Sequence, residues 1–198
     1  MPNKKLSDLF DSQLNILLEK ELPELAGLTK EKFIAQVLPL KDKLATLKVT
    51  TDNTIPFILV VRNSLVPAEK IMPVNMHPVS PENFSPIAQL TIPESPLYLA
   101  VNISTGHDLL NVTPNDALEI INDQGRSPLT IDEGVALFLH NPDILQKQNA
   151  YSLLGSRSGD KRVPAIWISY GKPRLGWCWA GNPHIWLGSA SCATRIGI

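Results

Sequence analysis

No stretch of this sequence stays apolar for long. The opening MPNKKLSDLFDSQ lacks the run a signal peptide needs, and nothing later approaches the length that spans a bilayer. The expectation is a cytoplasmic protein with no membrane partner. Cysteine is scarce, with two in 198 residues, and in that compartment two cysteines are free thiols sooner than a disulfide. Net charge is small as well. A balance of −1 supplies no general pull toward nucleic acid, and no helix-turn-helix, zinc-finger or RNP-like pattern supplies a specific one. Nucleic acid is therefore not an expected partner. What is present, 43% hydrophobic and 19% charged residues, is ordinary globular composition, enough for one core or for one domain with a helical appendage.

Arginine is missing from residues 1–50, which carry eight lysines against seven acids. Residues 101–154 hold two bases, Arg126 and Lys147, against seven acids, and residues 155–198 hold six bases against Asp160 alone. A lysine-only front suits a solvated helical surface. An arginine-rich end suits fixed pairing, because guanidinium is a rigid fork. The acidic middle and basic end either neutralise each other within one fold or leave a pocket for an anion.

Taken in order, Leu6, Leu9, Phe10, Leu14, Leu17 and Leu18 mark one face of a helix over residues 4–22, ended by Pro23. Thr29 caps a second, which Pro39 breaks or kinks before the pattern resumes to about Lys48. Residues 1–50 thus form a helical segment that packs on the main domain, with dimerisation through these helices as the alternative. Residues 51–198 form the main domain. Ile55–Val61 suits a strand buried on both faces, and Leu97–Ile103 alternates as a strand. Between Pro56 and Pro96 lie eight of the seventeen prolines, which predicts extended connections. Thr113-Pro114 and the capping box Thr130–Glu133 open two helices, and Asn141-Pro142 opens a third through Gln148. Val163–Ser169, Arg174–Ala180 and Ile185–Ser191 then predict a three-stranded antiparallel meander. The expected fold class is α+β, an antiparallel or mixed sheet with helices on one face.

The stretch Lys172–Arg195 concentrates the scarce residues: Trp177, Trp179 and Trp186, both cysteines (Cys178 and Cys192), and His184. It is either tightly packed core or a site. Together with GRSPLTIDEG (Gly125–Gly134) and GSRSGDKRVPAIWIS (Gly155–Ser169), the motif LGWCWAGNPHIWLGSASC (Leu175–Cys192) resembles an uncharacterised bacterial family filed as a domain of unknown function. The likeness is strong over the last hundred residues, loose in the middle and absent from the N-terminal helices. It implies a bacterial, cytoplasmic, single-domain protein, and no activity, cofactor or substrate.

Three chemistries suit the residues. Cys178, His184 and Cys192, with His107 as a fourth, are ligand types that zinc takes, yet the C-x5-H-x7-C spacing matches no common zinc pattern. No cofactor is expected. Cys178 or Cys192 with His184 would supply a thiol and a base, oriented by Asn182 or Asp108. Gly155–Arg162 is a small-residue loop with three cations, able to offer guanidinium groups to an anion, though it lacks the order of a nucleotide P-loop. Three tryptophans in one meander are more often core than a stacking surface. Glu133 is taken as the capping acid, and His77 and His140 carry no assigned role. The leading expectation is a binding module for a small anionic or sugar-like ligand, with Arg126, Arg157 and Arg162 on the anion and Asn182 and His184 fixing orientation. The competing readings are a cysteine-dependent enzyme and a scaffolding protein without a small-molecule site.

Overall fold

A computed structural model describes residues 2–50, 54–72 and 80–198; His77 lies outside them. Helix α1 (Pro2–Glu19) buries Leu6, Phe10, Leu14 and Leu17, the face its spacing predicts. The expected boundary needs correction. The first helix stops at Glu19, and Pro23 sits in the opening turn of α2 (Leu22–Leu25), where the missing amide hydrogen has no intrahelical acceptor to miss. Thr29 caps α3 (Lys30–Asp42), its Oγ1 accepting from the Lys32 amide at 3.3 Å. Pro39 lies within α3, and a 3₁₀ turn, Lys43–Thr46, follows directly.

These helices cover one face of a central sheet. Strand β1 (Ile55–Val61) leads through α4 (Ala68–Ile71) and β2 (Ser85–Pro86) to β3 (Leu97–Ile103), which pairs antiparallel with β1 from Ile55↔Ile103 to Val61↔Leu97. Every residue of β3 is buried, as expected of a strand covered on both sides. Phe57, Leu59, Leu97, Leu99 and Val101 share one apolar cluster with α1 and α3, while Ile58, Val60, Tyr98 and Ala100 belong to a second. Along the edge of β1 away from β3, side chains replace a neighbouring strand. Gln13 donates Nε2 to the Phe57 carbonyl at 3.0 Å and accepts the Leu59 amide at 2.7 Å, and His140 donates Nε2 to the Leu59 carbonyl at 2.8 Å.

The predicted caps open α5 (Pro114–Asp123) and, after β4 (Ser127–Pro128), α6 (Ile131–His140). The third expected helix is one 3₁₀ turn, Pro142–Ile144. A second sheet follows, built from β5 (Ala150–Ser152), β7 (Arg162–Ser169), β8 (Lys172–Trp179) and β9 (Leu187–Ser189) in the order β8-β7-β5-β9. The short β6 (Ser156–Arg157) pairs with β2, β10 (Ser191–Cys192) with β4, and β11 (Thr194–Ile196) with β3. The helices and antiparallel or mixed sheets make the class α+β. Among the described residues no helix is long and apolar enough to cross a membrane.

The three-stranded meander is not formed. The hairpin β7–β8 closes through Tyr170 and Gly171, both at positive φ (50° and 72°), the geometry of a tight two-residue turn. The third leg, however, leaves β8 and runs parallel to β5, Ala150↔Leu187 through Ser152↔Ser189. Its small residues explain the route. A Cβ on Gly188 would stand 2.5 Å from the Gly106 carbonyl oxygen, and one on Gly106 would meet the Ser189 backbone. Ser152 donates its hydroxyl to the Gly188 carbonyl at 2.9 Å. The Gly-Ser-Ala-Ser run is therefore shaped for backbone-to-backbone contact in the interior, where all four residues are buried.

Candidate functional site

Alternation along the β7–β8 hairpin decides where the tryptophans go. Trp177 and Trp179 project from one side, opposite Pro164 and Arg162, and meet edge to face with ring centroids 4.9 Å apart. The Arg162 guanidinium lies over both, 4.9 Å from the Trp177 ring and 5.4 Å from the Trp179 ring, and is held by Asp160 at 3.1 Å. Trp167 lies across Gly176, where any Cβ would collide with the indole. Trp186 packs beside His184, ring centroids 5.1 Å apart. All four tryptophans of the chain line one cleft of about 190 Å³, with Cys178, Asn182 and His184 in its wall. None of the four is buried, and Trp179 is 42% exposed. The expectation that they are core is met in part: Trp167, Trp177 and Trp186 are half-buried against the core cluster that holds Val163, Ile166 and Leu175, while Trp179 is exposed.

The proposed catalytic set is only partly assembled. Cys178 and His184 line the same cleft, but the Cys178 thiol is pushed up to about 12, chiefly by burial, with Arg157 pulling the other way. Cys192 is fully buried on β10, beyond that cleft, and its thiol is likewise pushed up to about 12, first by burial and then by the Glu133 charge. Burial at both positions disfavours the thiolate form that acts as a nucleophile. The zinc set does not converge either, since His107 lines a different hollow beside Gly106 and Arg126. Among the described residues no three His, Cys, Asp or Glu side chains gather closely enough to hold a metal ion.

The five residues expected to share one ligand fall into two groups. Asn182 and His184 line the tryptophan cleft, beside Arg162 on its aromatic pair. Arg126 and Arg157 do not line it. Arg126 is clamped by Nε to the Ser191 hydroxyl at 2.8 Å and by Nη2 to the Asn102 and Ser191 carbonyls at 2.7 and 3.1 Å. Arg157 donates Nη1 to the Leu154 and Ser156 carbonyls at 2.7 and 3.1 Å. The correction has a topological cause: Arg157 sits on β6, which pairs with β2, whereas Arg162 sits on β7 opposite Trp179.

Glu133 is more than the capping acid. It takes the Thr130 amide at 2.8 Å in the predicted capping box, and also accepts the Tyr98 hydroxyl at 2.9 Å and both Nε and Nη2 of Arg195. Arg195 continues to the Ser127 hydroxyl at 2.6 Å and the Pro128 carbonyl at 2.9 Å. The pair sits inside the fold, with side chains 5% and 0% exposed. Its arginine is held above the usual guanidinium range by Glu133, against the effect of burial. The capping box was legible. Its partner, 62 residues away, was not.

No curated protein and no solved structure matches this chain. A family model does, over residues 16–198, which extends well beyond the tryptophan–cysteine motif and takes in α2 and α3. The chain therefore belongs to the family of unknown function DUF5701.

Proposed function

We propose that this protein is a binding module that seats one sugar-like ring in the tryptophan cleft. The observation that carries the reading is the gathering of all four tryptophans, none of them buried, around a single opening. Ligand sites combine apolar aromatic walls with a few placed polar groups, and drug-sized ligands occupy roughly 300–1,000 Å³. A cleft of about 190 Å³ suits a single ring. The C–H face of a pyranose packs on indole, while Asn182 and His184 offer hydrogen bonds to its hydroxyls. Arg162 keeps Trp177 and Trp179 in place before the ligand arrives, which lowers the cost of ordering them. We place the protein in the bacterial cytoplasm, a reading supported by the family-like motif and by two free cysteines.

Tryptophan emission tests this directly. Titration with glucose, galactose, mannose and N-acetylglucosamine is expected to give a saturable change with at least one sugar, lost in Trp179→Ala and weakened in His184→Ala. Unchanged emission across the panel overturns the reading. The enzyme reading has Cys178 and His184 on one cleft in its favour and the buried, protonated thiol against it. The apolar faces of α1 and α3 are spent on the chain's own sheet, which weakens the reading of those helices as an assembly surface.

A further inference from the structure

Arg126 and Arg157, separated from the tryptophan cleft, line a cleft of their own, about 410 Å³, with Gln89, Asn122 and Ser127 among its polar neighbours. The two clefts share no lining residue. Each guanidinium is anchored by carbonyl or hydroxyl oxygens along one part of its fork: Arg126 through Nε and Nη2, Arg157 through Nη1. Among the described residues, nothing accepts from Arg126 Nη1 or from Arg157 Nε and Nη2, and no carboxylate forms an ion pair with either arginine. No acidic residue lines the cleft. Burial holds both groups below the ordinary arginine range.

We infer that this cleft is a second ligand site, one that takes the phosphate group of a small molecule between Arg126 and Arg157. A planar carboxylate is satisfied by one fork. Two forks from separate elements, each already braced, suit a tetrahedral dianion whose oxygens accept in several directions. Gln89 and Asn122 add amide donors at the margin. The anchoring contacts hold the arginines in place in advance, so little side-chain ordering remains when the anion arrives.

The probe is inorganic phosphate, followed by calorimetry and by thermal unfolding at constant ionic strength set with sodium chloride, with acetate as the single-carboxylate comparison. Phosphate is expected to bind saturably and raise Tm, acetate to do neither, and tryptophan emission to stay unchanged. Gln89→Glu places a carboxylate in the cleft from an exposed position that anchors nothing. It should weaken phosphate binding about tenfold or more, as should Arg157→Gln. Circular dichroism checks that both variants remain folded, and Gln89→Glu stands alone if Arg157→Gln does not. Phosphate acting no better than chloride, affinity unchanged in Gln89→Glu, or acetate binding as tightly as phosphate each overturns the inference. A sugar response without a phosphate response would leave the tryptophan cleft standing by itself.

Discussion

Replacing Arg195 with Met removes one half of the interior ion pair while keeping an unbranched apolar side chain in its place. Glu133 then retains the Tyr98 hydroxyl and the Thr130 amide, but its charge stays buried without a cation. Breaking a buried pair from one side costs about 3–5 kcal/mol. The lost contacts to the Ser127 hydroxyl and Pro128 carbonyl fall within that total, because the cost of removing one partner already includes the hydrogen bonds it made. For a chain of this size, 3–5 kcal/mol lowers Tm on the order of 10 °C. Glu133→Gln should cost a comparable amount, because it strands Arg195. The double variant should recover about 2–3 kcal/mol relative to the sum of the singles, since neither then leaves a lone buried charge. Urea unfolding at pH 7, with m unchanged between variants, reads all three. A cost below about 1 kcal/mol for Arg195→Met, or strict additivity, would refute the reasoning.

Other perturbations have defined outcomes. With both thiols pushed up to about 12, roughly one in 10⁵ is thiolate at pH 7; disulfide-exchange labelling should therefore stall in the native protein and reach two thiols in denaturant, and rapid native labelling of either would contradict the burial. His140 is held down at about 4 by burial, against its bond to the Leu59 carbonyl, and its Nδ1 lacks a partner among the described residues. Its folded value lies below the unfolded one, so its contribution is constant above about pH 6.5 and up to about 3 kcal/mol is lost as pH falls toward 4. Asp132, pushed up to about 6 chiefly by burial, acts in the opposite sense through the same window, so the measurement is the difference between parent and His140→Gln, whose stability should fall less with acid. Gly188→Ala should destabilise by about 2–4 kcal/mol because its Cβ meets backbone, whereas Gly181→Ala, with nothing within 4 Å, should stay within about 0.5 kcal/mol; equal effects would dismiss the close approach.

What was legible in the chain was what local chemistry specifies. Thr29, Thr113 and Thr130 signalled helix starts, and each side chain accepts an amide three residues on. The branched run of β1 signalled a strand buried on both sides, whereas the alternation of β3 signalled a strand and not that both of its faces are covered. The route of β9 was not legible, because period-two alternation says that a segment is extended and does not say which strand it joins. The same gap hid the tryptophan cleft. Scarcity and spacing located Trp177, Trp179 and His184 as notable, but exposure depends on what lies beneath the hairpin, and small residues at 188–191 drew the last leg inward. Arg195 resembled any other member of the basic end until folding set it beside Glu133.

The side chains along the rim of β1 have a consequence for solubility. Phe57 and Leu59 sit in an apolar, branched segment whose outward carbonyl and amide groups would, if released, form a template for strand addition by another copy. Gln13 fills two of those positions from the first helix, so detaching that helix would uncover both the hydrogen-bonding groups and the apolar face at once. The polypeptide thus carries its own guard against polymerisation near its beginning. Loosening α1, by cleavage after Glu19 or by exchanging Gln13 for an apolar residue, would be felt as self-association before it was felt as loss of secondary structure.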